Sequence, residues 1–260
     1  MFHVKEYVKA KSLQEAYDLN QKRSNILLGG MMWLKMGRNY KVTAIDLSGL
    51  GLDQIEENEE EFRIGCMCSL RQLECHQGLN QYFDGVFKEC TRSIVGTQFR
   101  NGATVGGSVF GRYGFSDILT CLMMLDTYVE LYKGGVVALT EFAQMKYDRD
   151  ILVRVIVKKD GRKAAYTSQR QSKTDFPVIA CGVAEKDGSW YVSVGARPEK
   201  AALLVLPKTE EPLEVQAKAA AGQYVYHKNL RGSAEYRQHL AEVYVRRLME
   251  VLMEAQKEEA

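Results

Sequence analysis

Proline is scarce in this 260-residue chain, 4 against 22 glycines, which excludes collagen-like and proline-rich architectures. Neither sign of charge is in surplus. Thirty-five lysines and arginines face 33 aspartates and glutamates for a net charge of +2, so no long-range field selects nucleic acid or anionic lipid, and neither is expected as a partner. Long hydrophobic runs are missing as well. The best candidate, Ile118 to Leu125, is broken by Thr120 and falls short of the ~20 apolar residues needed to span a bilayer, so no membrane contact is expected. The opening Phe2-His-Val-Lys-Glu-Tyr-Val-Lys alternates polar and apolar residues and holds no apolar stretch of signal-peptide length. A cytoplasmic, reducing location is expected, with cysteines 66, 68, 75, 90, 121 and 181 as free thiols. Cys66-Met-Cys68 and Cys75-His76 lack the Cys-x-x-Cys spacing that closes around one ion, so no metal site is expected; a strand from Phe62 to Cys68 with small buried side chains fits their alternation better.

Motifs for several chemistries are also absent. Four histidines, at 3, 76, 227 and 239, leave little for imidazole acid–base catalysis or metal-assisted hydrolysis. Gly49-Leu-Gly51 has Gln54 where the Rossmann fingerprint needs a third glycine. There is no Gly-Lys-Ser/Thr phosphate loop, no Gly-x-Ser-x-Gly elbow and no His-Glu-x-x-His pair.

What is present is a chain of alternating strands and helices, long enough for about two domains of ~100–200 residues. Phe2 to Val8 alternates as a strand, and Ser12 caps a short helix with Leu13, Ala16 and Tyr17 on one face. Apolar strands follow at Asn25–Leu28 and Val42–Leu47. The acidic run Glu56–Glu61 reads as a solvated, hairpin-like spacer, after which Ser69-Leu-Arg-Gln-Leu opens a helix. Thr127–Tyr132 and Val136–Leu139 form a hairpin across Gly134-Gly135, and Ile151–Lys158 is a β-branched strand before Asp160-Gly161. Phe176–Ala184 and Trp190–Gly195 form a second hairpin, and Ser233–Gln256 is an amphipathic helix packing on that sheet.

Two glycine pairs carry the candidate chemistry: Leu28-Gly-Gly-Met31 after one strand and Thr104-Val-Gly-Gly-Ser108, read as a turn between two others. Without a Cβ, glycine lets backbone N–H groups approach a pyrophosphate, and two such turns can clasp one dinucleotide. A plain tight turn uses the same pair, and spacing leaves both readings open.

Phe99-Arg-Asn-Gly-Ala-Thr-Val-Gly-Gly-Ser-Val, followed by Ser116-Asp117-Ile-Leu and Leu122-Met-Met-Leu-Asp126, resembles the flavin-binding signature of the medium subunits of molybdenum hydroxylases, the xanthine dehydrogenase family. In the same order, Leu27-Leu-Gly-Gly-Met-Met-Trp-Leu resembles the first flavin loop and Ile64-Gly-Cys-Met-Cys-Ser-Leu-Arg-Gln-Leu a second family segment. Ala165–Phe176 resembles the start of the family's C-terminal domain, and Ser233-Ala-Glu-Tyr-Arg also fits, so the likeness covers essentially the whole chain.

The resemblance implies an α+β protein. Its FAD-binding domain would be of the vanillyl-alcohol-oxidase (PCMH) type, with α/β subdomains at residues 1–57 and 58–160. Residues 161–260 would form a C-terminal α+β domain, an antiparallel sheet with helices, like that of carbon monoxide dehydrogenase flavoproteins. FAD would lie between Ile26, Leu27, Leu28, Gly29, Gly30 and Met31 on one wall and Thr104, Gly106, Gly107 and Ser108 on the other. Asp117, preceded by Ser116, would hold cofactor hydroxyls; Ile94, Val95 and Leu152 would lie beside its rings. The implied partners are an iron–sulfur small subunit and a molybdenum-cofactor large subunit, with NAD or another acceptor taking the electrons. No side chain of this chain would act as a catalytic acid or base.

Each residue has a plainer reading. Asp117 and Ser116 would serve as a helix cap, Met31, Met32 and Trp33 as core, and Arg170 with Asp175 as a surface ion pair. The sequence also departs from the family pattern. Methionines 31 and 32 replace polar residues, Arg112 and Tyr113 stand where small residues are usual, where Arg112 would meet a phosphate or a partner, and Thr167 and Ser168 occupy the place of a lysine. These departures support an alternative: a scaffold subunit, or a stand-alone flavin or nucleotide binder, with weakened or lost FAD binding.

Overall fold

The computed structural model describes residues 2–38 and 40–259. The first elements are β1 (His3–Lys9), α1 (Leu13–Asn20), β2 (Ile26–Leu28) and β3 (Tyr40–Asp46), with a 3-10 turn at Leu34–Met36. Both β1 and β2 pair in parallel with the central β3. Helix α1 begins where Ser12 Oγ accepts the Glu15 N–H at 3.1 Å, and it buries Ala16 while Leu13 and Tyr17 pack on the core.

The middle of the chain contributes β4 (Ile55–Glu57), β5 (Glu61–Gly65), α2 (Leu70–Cys75), α3 (Gln77–Tyr82), α4 (Val86–Thr91), α5 (Thr97–Gly102), α6 (Val105–Phe110), α7 (Asp117–Met124), β6 (Thr127–Leu131), β7 (Gly135–Ala138), α8 (Leu139–Gln144) and β8 (Leu152–Lys158). Its strands form an antiparallel sheet in the order β4-β5-β8-β6-β7. The acidic run is the hairpin its composition suggests: Ile55, Glu56 and Glu57 pair with Ile64, Arg63 and Phe62, so residues 57 and 58 belong to one hairpin. Glu61 is buried, and the hydrogen bond from Lys158, joined by Arg63, holds its carboxyl below the ordinary range. The strand expected from Phe62 to Cys68 stops at Gly65, where a Cβ would stand 2.1 Å from the Leu52 carbonyl oxygen, and the chain then turns into α2. Ser69 and Gln72 close a capping box at that helix start.

The last elements are β9 (Lys163–Gln169), β10 (Ile179–Lys186), β11 (Ser189–Gly195), β12 (Ala202–Pro207), α9 (Leu213–Ala221) and α10 (Ala234–Glu259). Their antiparallel sheet runs β12-β11-β10-β9 and packs α9 and α10 over a core that includes Trp190, Val192, Val245 and Met249. Helix α7, whose every residue is buried, packs on this sheet and against α4, α6 and α8 of the middle region. Ser193 of β11 donates to the Thr120 carbonyl at 2.7 Å, fastening the C-terminal sheet to α7. Apart from Asp117 and Thr120 its side chains are apolar, as a helix buried on all sides requires.

Candidate functional site

A cleft of about 580 Å³ lies between the N-terminal strands and the helices of the middle region. All fifteen residues named from the sequence line it. β2 and its loop bring Ile26, Leu27, Leu28, Gly29, Gly30 and Met31, and the segment after α4 brings Ile94 and Val95. Thr104, Gly106, Gly107 and Ser108 come from the start of α6, Ser116 and Asp117 from the start of α7, and Leu152 from β8.

The two glycine pairs do different work. In the first, Met31 adopts a left-handed φ of 58°, which turns successive amides toward one side. Among the described residues, the backbone N–H groups of Gly29, Gly30, Met31 and Met32 meet no protein acceptor. Four consecutive free donors beside a cleft are a site for anionic oxygens. The methionine side chains remove the polar donors usual in the resembling family, yet the backbone donors stay.

The second pair is not a turn between strands. Thr104 caps α6, so Gly106 and Gly107 lie in a helical first turn. That coil consumes the amides expected to face a ligand: Gly106 donates to the Cys66 carbonyl at 2.9 Å, Gly107 to Thr104 Oγ1 at 3.2 Å and Ser108 to the Thr104 carbonyl at 3.1 Å. The second wall therefore supplies close approach rather than donors. Within each pair one glycine packs on backbone and the other flanks Thr104. A Cβ on Gly30 would stand 1.6 Å from the Gly102 carbonyl oxygen and one on Gly106 2.6 Å from that of Cys66, whereas on Gly29 and Gly107 it would meet only Thr104 Oγ1, at 2.9 and 3.1 Å.

Asp117 neither caps α7 nor reaches solvent. Ser116 is the cap, its Oγ accepting the Leu119 N–H at 3.1 Å. The Asp117 carboxylate is buried and accepts from Tyr166 Oη at 2.6 Å and from Arg170 Nη2. Burial pushes its pKa up, and the pull of Arg170 and Tyr166 does not overcome that. The Tyr166 hydroxyl is in turn driven well above its ordinary range by burial and by Asp117. The surface pair expected between Arg170 and Asp175 does not form between side chains. Arg170 is buried against Asp117 and reaches only the Asp175 carbonyl, while the Asp175 carboxylate pairs with Arg231 at 3.1 Å. Thr167 and Ser168 are not among the cleft-lining residues. Cys66 lines the cleft, but burial pushes its thiol up to about 12, which keeps it protonated and unreactive.

Trp33 is not a core residue. It lines the cleft 42% exposed, stacked on Phe176 with centroids 5.4 Å apart and meeting Phe99 and Phe115 at 5.9 and 6.0 Å. Sequence reasoning missed this cluster because its rings come from four separate segments. Arg112 is not among the cleft-lining residues. It is buried at φ 43° with its guanidinium 3.9 Å from the Phe142 ring centroid and 4.6 Å from that of Tyr147, and burial lowers its pKa. Arg149 was also unforeseen; it donates to the carbonyls of Asn20, Lys22 and Asn25, tying the first sheet to the cleft rim.

A family model for the FAD binding domain in molybdopterin dehydrogenase matches residues 2–159. The chain belongs to that family. It is an FAD-binding subunit of the molybdenum hydroxylase family, an oxidoreductase subunit whose cofactor is FAD. The uncharacterized protein YgfM of Escherichia coli (strain K12) is 23% identical over 248 residues, covering 93% of this chain and 94% of that protein. Among solved structures, quinoline 2-oxidoreductase from Pseudomonas putida 86 matches with a TM-score of 0.84 at 18% identity, covering 97% of each chain. Reconstituted CO dehydrogenase from Oligotropha carboxidovorans gives 0.84 at 22% identity, covering 95% of this chain and 96% of that one. Carbon monoxide dehydrogenase from Hydrogenophaga pseudoflava gives 0.82 at 22%, covering 94% and 96%. These likenesses extend the shared fold past residue 159 into the C-terminal sheet and helices. No helix among the described residues is long and apolar enough to cross a membrane.

Proposed function

We propose that this FAD-binding subunit is the middle relay of a molybdenum hydroxylase, taking electrons from iron–sulfur clusters on a small subunit and passing them to NAD or another acceptor, while substrate is oxidised at a molybdenum cofactor on a large subunit. The observation that carries this reading is the row of amides from Gly29 to Met32 without a protein acceptor, on a loop that lines one cleft together with the glycine-bearing start of α6. That cradle fits a diphosphate-bridged dinucleotide: donors on one side and, on the other, a surface from which Cβ atoms are missing. FAD, when bound, supplies the electron-carrying ring. The chain binds and orients it. The Gly29–Met32 amides would hold the diphosphate, and the Thr104 hydroxyl, which already accepts from Gly107, keeps its own proton to donate. Ile94, Val95 and Leu152 would exclude water beside the rings. Asp117 is engaged by Tyr166 and Arg170, so its part is to fix those two groups at the cleft rather than to grip a ribityl hydroxyl alone.

The test is purification of the full chain with flavin analysis. A yellow protein that releases FAD on denaturation is expected. Gly107→Phe, whose side chain would enter the cleft past Thr104, should fold but lose the flavin. A colourless parent that takes up no added FAD would replace the relay with the scaffold reading, and a Gly107→Phe protein as yellow as its parent would remove the cradle.

A further inference from the structure

We infer that Trp33 is the binding residue against which the isoalloxazine ring packs, so that the aromatic end of the cleft takes the flavin ring and the Asn25 end takes the adenosine. This rests on the FAD cradle proposed above. β2 and the loop after it run from Asn25, where Arg149 collects the carbonyls of Asn20, Lys22 and Asn25, through the free amides of Gly29 to Met32, to Trp33. The diphosphate position thus separates two chemically different ends. One is lined by asparagine side chains and by Ile151 and Leu152. The other is a ladder of rings: Trp33 on Phe176, Phe176 to Phe115 at 4.4 Å, and Phe115 parallel to Tyr113 at 5.2 Å with 7° between their planes.

Two observations single out Trp33 on that ladder. Phe176 covers the indole at an interplanar angle of 23°, and Phe99 and Phe115 support it, so it is held in one orientation. It nevertheless remains 42% exposed in a cleft-lining position, whereas the chain's other tryptophan, Trp190, is fully buried with its Nε1–H on Gln216 Oε1 at 3.0 Å. A large ring fixed by three others but left open on the cleft side is a stacking platform, and it offers what the side chains of Met31 and Met32 cannot. Arg231, 4.9 Å from the Phe176 centroid and paired with Asp175, braces the ladder from behind.

The experiment compares the parent chain with Trp33→Leu and Trp33→Phe, titrated by equilibrium dialysis with FAD, FMN and ADP, with the emission of bound FMN as a second readout. Trp33→Leu should weaken FMN roughly tenfold, the scale of a lost aromatic pair, and brighten the bound flavin, which an adjacent indole quenches. ADP affinity should stay at the parent value, and Trp33→Phe should retain most of the FMN affinity. The inference is overturned if Trp33→Leu binds FMN as tightly as the parent with unchanged emission, or if FMN and ADP weaken equally while the thermal melt is unaltered. If the parent binds none of the three ligands, the cradle itself fails and this inference fails with it. If the parent binds FAD and only the Trp33 contrast is missing, the cradle stands and the stacking assignment alone is lost.

Discussion

Two buried carboxylate–guanidinium pairs, Glu74–Arg100 and Asp117–Arg170, look alike by burial and differ in how fully they are satisfied. Arg100 grips Glu74 with two contacts, at 2.8 and 3.1 Å, Arg71 adds a third at 2.8 Å, and Arg100 spends its other N–H groups on the Arg92 and Ile94 carbonyls at 3.3 and 3.2 Å and on Thr97 Oγ1 at 3.5 Å. Burial would raise the Glu74 pKa, but these bonds together outweigh it and hold the carboxyl below the ordinary range. Asp117 has one guanidinium contact and one phenol, burial wins, and Arg170 Nε has no acceptor. The first pair is a completed piece of framework. The second, on the cleft, carries an electrostatic cost that the fold does not relieve, the pattern expected where a site rather than stability sets the residues.

The largest effect should come from Arg100→Met, which strands Glu74 beside Arg71 alone. A loss of about 3 kcal/mol in urea unfolding is expected, the lower end of what removing one partner of a buried pair costs. Loss below about 1 kcal/mol would show that the pair is not the anchor its geometry suggests. Arg170→Met should cost less, about 2 kcal/mol, because burial already shifts the Asp117 pKa upward and protonation then relieves the unpaired charge more readily. FAD retention should fall more than stability does, and equal damage to both would erase the contrast between the pairs. Tyr166→Phe removes one hydrogen bond to the carboxylate and should cost about 1.5 kcal/mol by the same unfolding measurement.

The finest distinction is in pH dependence. Glu74 has a lowered folded pKa, so its contribution is present above the unfolded value of about 4.3 and is lost as pH falls through the folded pKa. Asp117 has a raised one. Its ionised form costs stability above the folded pKa, and the cost is relieved as pH falls through it and is gone below about 3.9. Stability measured from pH 3 to 8 should therefore differ from the parent with slopes of opposite sign in Glu74→Gln and Asp117→Asn. Slopes of the same sign would mean that one of the two carboxyls titrates against the direction its surroundings dictate.

Much of this arrangement could be read from the sequence where the signal was local. Period-two alternation located β1 and β8, the turn Lys186-Asp-Gly-Ser marked the hairpin of β10 and β11, and Ser12 and Ser69 marked helix starts, because each depends on neighbours within a few residues. The resemblance to the flavin-binding signature brought fifteen of the cleft-lining residues into view. What escaped was set by contacts between distant segments. Gly106 and Gly107 are adjacent letters, yet one lies on the Cys66 carbonyl and the other faces the cleft. Asp117 and Arg170 are 53 positions apart, and no spacing announces their contact. Strand β12 and helix α9 went unread because β12 has mixed exposure along both faces and α9 is rich in alanine, which supports a helix without patterning it.

The Arg149 clamp has a consequence for how the chain is made. Its guanidinium meets the Asn25 carbonyl across 124 residues of sequence. At about 5–20 residues per second, a ribosome would hold the first three strands in the open for roughly 6–25 s before their fastening emerges. During that interval the carbonyls of Asn20, Lys22 and Asn25 depend on water for their hydrogen bonds.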